Sequence, residues 1–282
     1  MSTPSTVATP TLPVTRIRPG TRAVTFSLRE IWHARELLYF LVLRDVKLRY
    51  KQTVLGIAWS VLQPFLTMVV FTIFFGRLAK MPSDGLPYPL FSLAALVPWT
   101  YFATAAANGS ASLVANQHVL DKVYFPRALI PLTAVLTPAV DLAVSFGMLI
   151  VLMIWYHVAP APAMLLLPLY VLLAVLAAFA VTLWTSALTV RYRDVRYVLP
   201  FVIQLWLFVT PVVYPASVIP ARLRAVYALN PMTVVVEGFR SALLGTAGPG
   251  ATAAVGVVVV AIGLVVGATY FRSVEGSIVD LA

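Results

Sequence analysis

The 282-residue sequence contains no cysteine, which excludes disulfides, thiolate metal sites and thiol nucleophiles together. Histidine is scarce: His33, His118 and His157 lie in three separate segments, a pattern that argues against a shared metal ion. Lysine is limited to Lys47, Lys51, Lys80 and Lys122, and none of them follows a glycine. The chain therefore lacks the GxxxxGK[ST] loop that cradles nucleotide phosphates. Charge is thin as well. Only 11% of the residues are charged, against about 25% in an ordinary soluble domain.

What fills the sequence is apolar: 61% of residues are hydrophobic and the mean hydropathy is +0.92. A soluble fold of this length would need polar groups to cover its surface that the chain does not have, so a bilayer is its natural solvent. The formal net charge is +10. The basic residues flank apolar runs, which points to membrane lipid headgroups and topology, and away from nucleic acid.

Six apolar runs are long enough, or nearly so, to span: 54–78, 89–114, 128–156, 163–190, 198–214 and 251–271. The fold expected is an all-α membrane protein with six transmembrane helices. Residues 1–27 are rich in Thr, Ser and Pro and show no apolar stretch of the signal-peptide kind, so a disordered cytoplasmic tail is expected there. Residues 28–52 hold an apolar core of only seven residues, Leu37 to Leu43, among charges and aromatics. That pattern predicts an amphipathic helix lying in the membrane surface, with an ordinary soluble helix as the alternative. Segment 215–250 combines Pro215, Pro220, Pro231, Gly238, Gly245 and Gly248 with Arg222, Arg224, Glu237 and Arg240. Broken helices at membrane depth are tolerated only against protein or water, so a re-entrant pair is favoured over a seventh span. The membrane-embedded body would then occupy 53–282.

The charge distribution orients this map. With a cytoplasmic N-terminus and six spans, all basic residues fall on cytoplasmic segments except Arg77, Lys80, Arg222, Arg224 and Arg240, five of the twenty. The positive-inside rule favours this arrangement, with both termini cytoplasmic. The sequence supplies no convergent catalytic group. Asp141 and Glu237 are the carboxylates near membrane depth, in different segments and without histidine. Glu237 and Arg240, at i and i+3, are spaced for a local ion pair. Asp141 would bond to Ser145 or a neighbouring helix, or serve as a channel-lining or proton-relay group.

Four blocks carry a resemblance: RDVKLRYKQTVLGIAWSVLQPFLTMVVF (44–71), LVPWTYFATAAANGSASLVANQHVLDKVYFPRALIPL (96–132), RYRDVRYVLPFVIQLWLFVTPVVYP (191–215) and LNPMTVVVEGFRSALLG (229–245). In this order they resemble the polysaccharide-exporting ABC permeases, the O-antigen, capsule and teichoic-acid exporters of the second ABC exporter type. The resemblance implies a non-enzymatic transport subunit of the bacterial inner membrane. It implies a homodimer working with two separate cytoplasmic ATPase subunits, which use the ATP and Mg; the chain itself binds no cofactor. The cargo implied is a lipid-linked glycan. The arm 28–52 becomes an interface helix. The segment containing Asn116, Gln117, His118, Asp121, Lys122, Tyr124, Phe125 and Pro126 becomes a coupling helix docked on the ATPase. Arg44, Lys47, Arg49 and Lys51 are candidates to attract the pyrophosphate of the cargo. Trp59, Gln63, Phe71, Gln204 and Tyr214 are candidates to line a channel between protomers. Alternatives are a permease of the same fold that exports a drug or lipid, a proton-coupled flippase using Asp141 or Glu237, and a membrane-embedded transferase.

Without a P-loop, the purified chain in lipid nanodiscs is expected to release no phosphate from ATP above the lipid background in a coupled-enzyme assay. Turnover by the chain alone would overturn the non-enzymatic assignment.

Overall fold

The computed structural model describes residues 28–51, 58–120 and 125–275, and among them every regular element is helical. The expected disordered tail, 1–27, lies outside the described residues. The chain begins with α1 (Leu28–His33) and α2 (Arg35–Lys51). Leu41 of α2 is buried against the bundle, while Tyr39 and Phe40 are exposed. At 3.6 residues per turn Tyr39 points nearly opposite to Leu41, so apolar side chains cover more of α2 than one stripe.

Next comes α3 (Ala58–Phe71), which continues without interruption into a π-helical segment, Thr72–Leu78. The π register shows in the bond from Ala79 N–H to the Phe74 carbonyl, 2.9 Å, five residues back. The long α4 (Tyr88–Ala115) follows a loop in which Pro87 precedes the helix and Pro89 stands in its first turn, where a missing N–H costs nothing. A single turn, α5 (Gln117–Leu120), leads to α6 (Leu129–Leu136) and α7 (Ala139–Trp155). Pro138 marks the break between these last two, as a ring without an N–H does inside a helix. A 3-10 turn, Pro162–Leu166, opens α8 (Leu167–Arg191), and α9 (Val195–Val209) follows. The remainder is α10 (Ala221–Ala228), α11 (Pro231–Leu244) and α12 (Thr252–Glu275).

Five segments among the described residues are long and apolar enough to cross a membrane: Ala58–Leu78, Tyr88–Ala115, Leu129–Trp155, Pro162–Arg191 and Thr252–Glu275. They match the expected runs to within a few residues. Of the fifth expected run, 198–214, only 198–209 is helical, within the 15-residue α9, and 210–214 lie beyond its end. The 15 residues make about 22 Å of helix, short of the roughly 30 Å hydrocarbon core.

The bundle is built around α4. Its residues Leu90 to Trp99 are all buried, and α8 packs along it most extensively. The close approach depends on Gly109. A methyl group there would come within 2.3 Å of the Thr182 side chain, itself fully buried. Small residues at such crossings let helices meet backbone to backbone.

The end of the bundle holding the 79–87 and 210–230 segments is tied together by Arg240 on α11. The start of this helix is capped by Asn230, whose side-chain oxygen accepts the Met232 N–H at 3.1 Å, with Pro231 at the first helical position. It ends on Gly245 at φ 71°, a left-handed conformation that glycine adopts without strain. Arg240 is only 3% exposed. It donates to the carbonyls of Phe91 (3.2 Å), Pro211 (2.6 Å), Val212 (2.6 Å) and Tyr214 (3.4 Å), and sits over the Phe91 ring. The ion pair expected from the i, i+3 spacing of Glu237 and Arg240 does not form among the described residues, because the guanidinium turns inward to these carbonyls.

Gly109→Val is expected to destabilise the bundle by about 1–3 kcal/mol through overpacking. Thr182→Ala should restore part of that loss when combined with it. Thermal unfolding of both variants in the same detergent measures the effect, and an unchanged midpoint for Gly109→Val would contradict the packing described.

Candidate functional site

A cavity of about 230 Å³ lies between α2, α3, α4 and α7, lined by Arg49, Tyr50, Trp59, Ser60, Gln63, Pro64, Thr100, Tyr101, Thr104, Pro138, Asp141, Leu142 and Ser145. Asp141 stands about 18 Å along the Leu129–Trp155 span from its start. A carboxylate at that depth demands compensation. One oxygen, Oδ1, accepts the hydroxyls of Tyr50 and of Ser60, the latter at 2.5 Å. The other, Oδ2, forms an ion pair with Arg49 Nη2 at 2.7 Å. Ser145 donates to the Ser60 backbone carbonyl at 3.0 Å. Of the two partners open to Asp141, the neighbouring helices hold it and Ser145 does not. The charge is thus satisfied by α2 and α3, which joins the arm to the first span.

Five of the residues singled out from the sequence meet here: Arg49, Trp59, Gln63, Asp141 and Ser145. The other basic candidates are placed differently. Arg44 forms an ion pair with Asp45 at 2.8 Å and donates to the Asn116 side-chain oxygen at 3.1 Å. Lys47 and Lys51 are exposed on α2. Phe71 lies further along α3, edge-on to Phe75. Gln204 is exposed on α9. Tyr214 sits at the far end, where its hydroxyl donates to the Phe208 carbonyl at 3.0 Å and meets that of Tyr227 at 3.1 Å. The five lining candidates therefore do not share one site within the chain.

In the segment expected to couple, Asn116 ends α4, its side-chain nitrogen donating to the Ser112 carbonyl at 3.0 Å. Gln117 and His118 belong to the single turn α5, with His118 exposed. Asp121, Lys122 and Tyr124 lie outside the described residues. Phe125 is buried, and Pro126 offers its carbonyl to the Leu129 N–H at 3.0 Å. Arg127 reaches the backbone carbonyl of Glu275 at the end of α12. Sequence reasoning missed Tyr50 and Ser60 as partners of Asp141. The signal available was Asp141 itself, since a lone carboxylate at membrane depth calls for a cation and hydroxyls on facing helices.

No group of three or more His, Cys, Asp or Glu side chains able to hold a metal ion occurs among the described residues. The arrangement is that of a multi-pass helical membrane protein with a compensated polar cavity at mid-depth. The chain belongs to the ABC-2 type transporter family, whose family model matches residues 36–244. It is 31% identical to the O-antigen export system permease protein RfbA of Myxococcus xanthus, over 76% of this chain and 82% of that protein. It is 28% identical to the protein of the same name from Klebsiella pneumoniae, over 73% and 79%. Identity to the polysialic acid transport protein KpsM of Escherichia coli is 22%, over 72% and 80%.

The Arg49–Asp141 pair is partly screened, since the Arg49 side chain is 36% exposed. A double-mutant cycle with Arg49→Gln and Asp141→Asn is expected to give a coupling of about 1–2 kcal/mol in unfolding free energy. Additive single-variant effects would show that the two side chains do not pair.

Proposed function

We propose that this chain is the membrane subunit of an ATP-driven exporter that moves a lipid-linked polysaccharide out of the cytoplasm across the bacterial inner membrane. The observation that carries this reading is the family match over 36–244, joined to relatives whose names give O-antigen and polysialic acid as their cargo. The end of the bundle rich in arginine and lysine faces the cytoplasm, as the positive-inside rule favours. Both termini then lie inside, and α9 with the chain down to Tyr214 completes a sixth crossing. α10 and α11 form a re-entrant pair on the outer side.

Two copies pair through apolar side chains that one chain leaves exposed, such as Phe65 and Phe74 on the first span and Phe201 and Phe208 on α9. The channel runs between them, past Trp59, Gln63, Phe71, Gln204 and Tyr214. Two separate ATPase subunits bind ATP with Mg and push on the segment from Asn116 to Pro126. A short rigid turn between two spans transmits such a rigid-body motion. The connection from Arg44 to Asn116 supports α2 as part of this interface.

The basic arm attracts the pyrophosphate of the cargo. Arg44 and Arg49 already hold acidic partners, so the exposed Lys47 and Lys51 carry most of the attraction. Export is measured as glycan reaching the cell surface, with chain and ATPase at normal levels. Changing Lys47 and Lys51 to Ala together is expected to lower it by about tenfold, the order of one lost charge-assisted contact. Undiminished export by the double variant, and by a variant with Arg44 and Arg49 also changed to Ala, would overturn phosphate capture.

A further inference from the structure

A second cavity, of about 310 Å³, lies at the end of the bundle remote from α2. Its wall comes from the 79–87 loop, α10, α11 and the turn before α12, and includes Asp84, Arg224, Tyr227, Thr233, Glu237 and Arg240. Its size falls at the lower bound of ordinary small-molecule sites, about 300–1,000 Å³. Thr233 lines it, is only 4% exposed, and has a hydroxyl without a hydrogen-bond partner among the described residues. Buried hydroxyls are normally satisfied, so one left open toward a cavity marks a place for a ligand group. Glu237 stands one helical turn further on the same face of α11 and is half-buried. Among the described residues its carboxylate makes no hydrogen bond or contact ion pair.

The charges around the cavity balance. Asp84 and Glu237 oppose Arg224 and Arg240. Arg240 contributes charge with four of its five N–H groups committed to backbone carbonyls, which leaves one Nη2 hydrogen to meet a ligand. A cationic ligand would face two guanidinium groups, and an anionic one two carboxylates. An apolar ligand would leave Thr233 and Glu237 unsatisfied. A neutral ligand with several hydroxyls suits all of them, because each hydroxyl both donates and accepts. Such a ligand can donate to Glu237, exchange bonds with Thr233 and accept from Arg224, while the Tyr227 ring offers an apolar face to C–H groups.

We propose that this cavity is a subsite for a single pyranose unit, formed within one protomer on the far side of the bundle from the basic arm. It rests on the reading of the cargo as a polysaccharide. The test uses the full chain in lipid nanodiscs, with methyl α-glucoside, methyl α-mannoside, methyl α-galactoside and methyl α-rhamnoside as probes. Binding is read by saturation-transfer NMR titration. At least one probe is expected to bind. Thr233→Val should weaken it by about tenfold, the loss of one hydrogen-bonding group, and Thr233→Ser should leave it within about twofold. Glu237→Gln provides a second reading of the same loss if Thr233→Val does not fold. Binding by none of the four probes overturns the site, as does native affinity in the folded Thr233→Val or Glu237→Gln chain. Export measured in parallel with the ATPase separates the two readings. Glycan export without pyranoside binding overturns the subsite alone, whereas a chain that exports no glycan overturns the cargo assignment and the site with it.

Discussion

A guanidinium sealed away from water must be surrounded by acceptors, and a chain leaving a helix inside a membrane protein must find donors for its carbonyls. Arg240 satisfies both needs at once. Beyond Val209 the backbone abandons α9, and the carbonyls of Pro211, Val212 and Tyr214 have no helical N–H to receive. The guanidinium supplies them, and the Phe91 carbonyl completes the set from α4. Three elements far apart in the chain are thereby pinned to one side chain. Losing the cation would strand several buried acceptors together, a larger penalty than the loss of a single bond.

Asp141 presents the mirror case nearer the other end. There a half-buried anion gathers a cation and two hydroxyls from α2 and α3. Between these two polar knots runs α4, whose burial makes it the spine against which α3, α7, α8, α9 and α11 are arranged. A transporter must stay folded while its spans shift. Concentrating polar compensation at two points and leaving apolar packing between them suits that requirement, because apolar contacts are non-directional and tolerate sliding.

Much of the architecture was legible in the sequence because its causes are local. Long apolar runs set the spans, Pro138 breaks one of them, and Asn230, Pro231 and Gly245 delimit α11. The fifth run came out shorter than its composition suggested because the chain turns at Thr210, before the apolar stretch is exhausted. The π register of Thr72–Leu78 carries no sequence signature that period counting could detect. The site was less legible for a different reason. Arg49 and Asp141 are 92 positions apart, and Arg44 and Asn116 are 72, so their pairing is decided by how helices dock. Local spacing even misdirected the reading of Arg240, whose nearest acid in sequence is not its partner in space.

The bond from Arg44 to Asn116 and that from Arg127 to the Glu275 carbonyl enclose the short connection between α4 and α6. One fastens its leading edge to the peripheral arm, and the other its trailing edge to the terminal helix. If this connection takes the push proposed for it, the two bonds make its described ends the hub of a three-armed crank, so that arm, spine and terminal helix would be drawn in the same stroke.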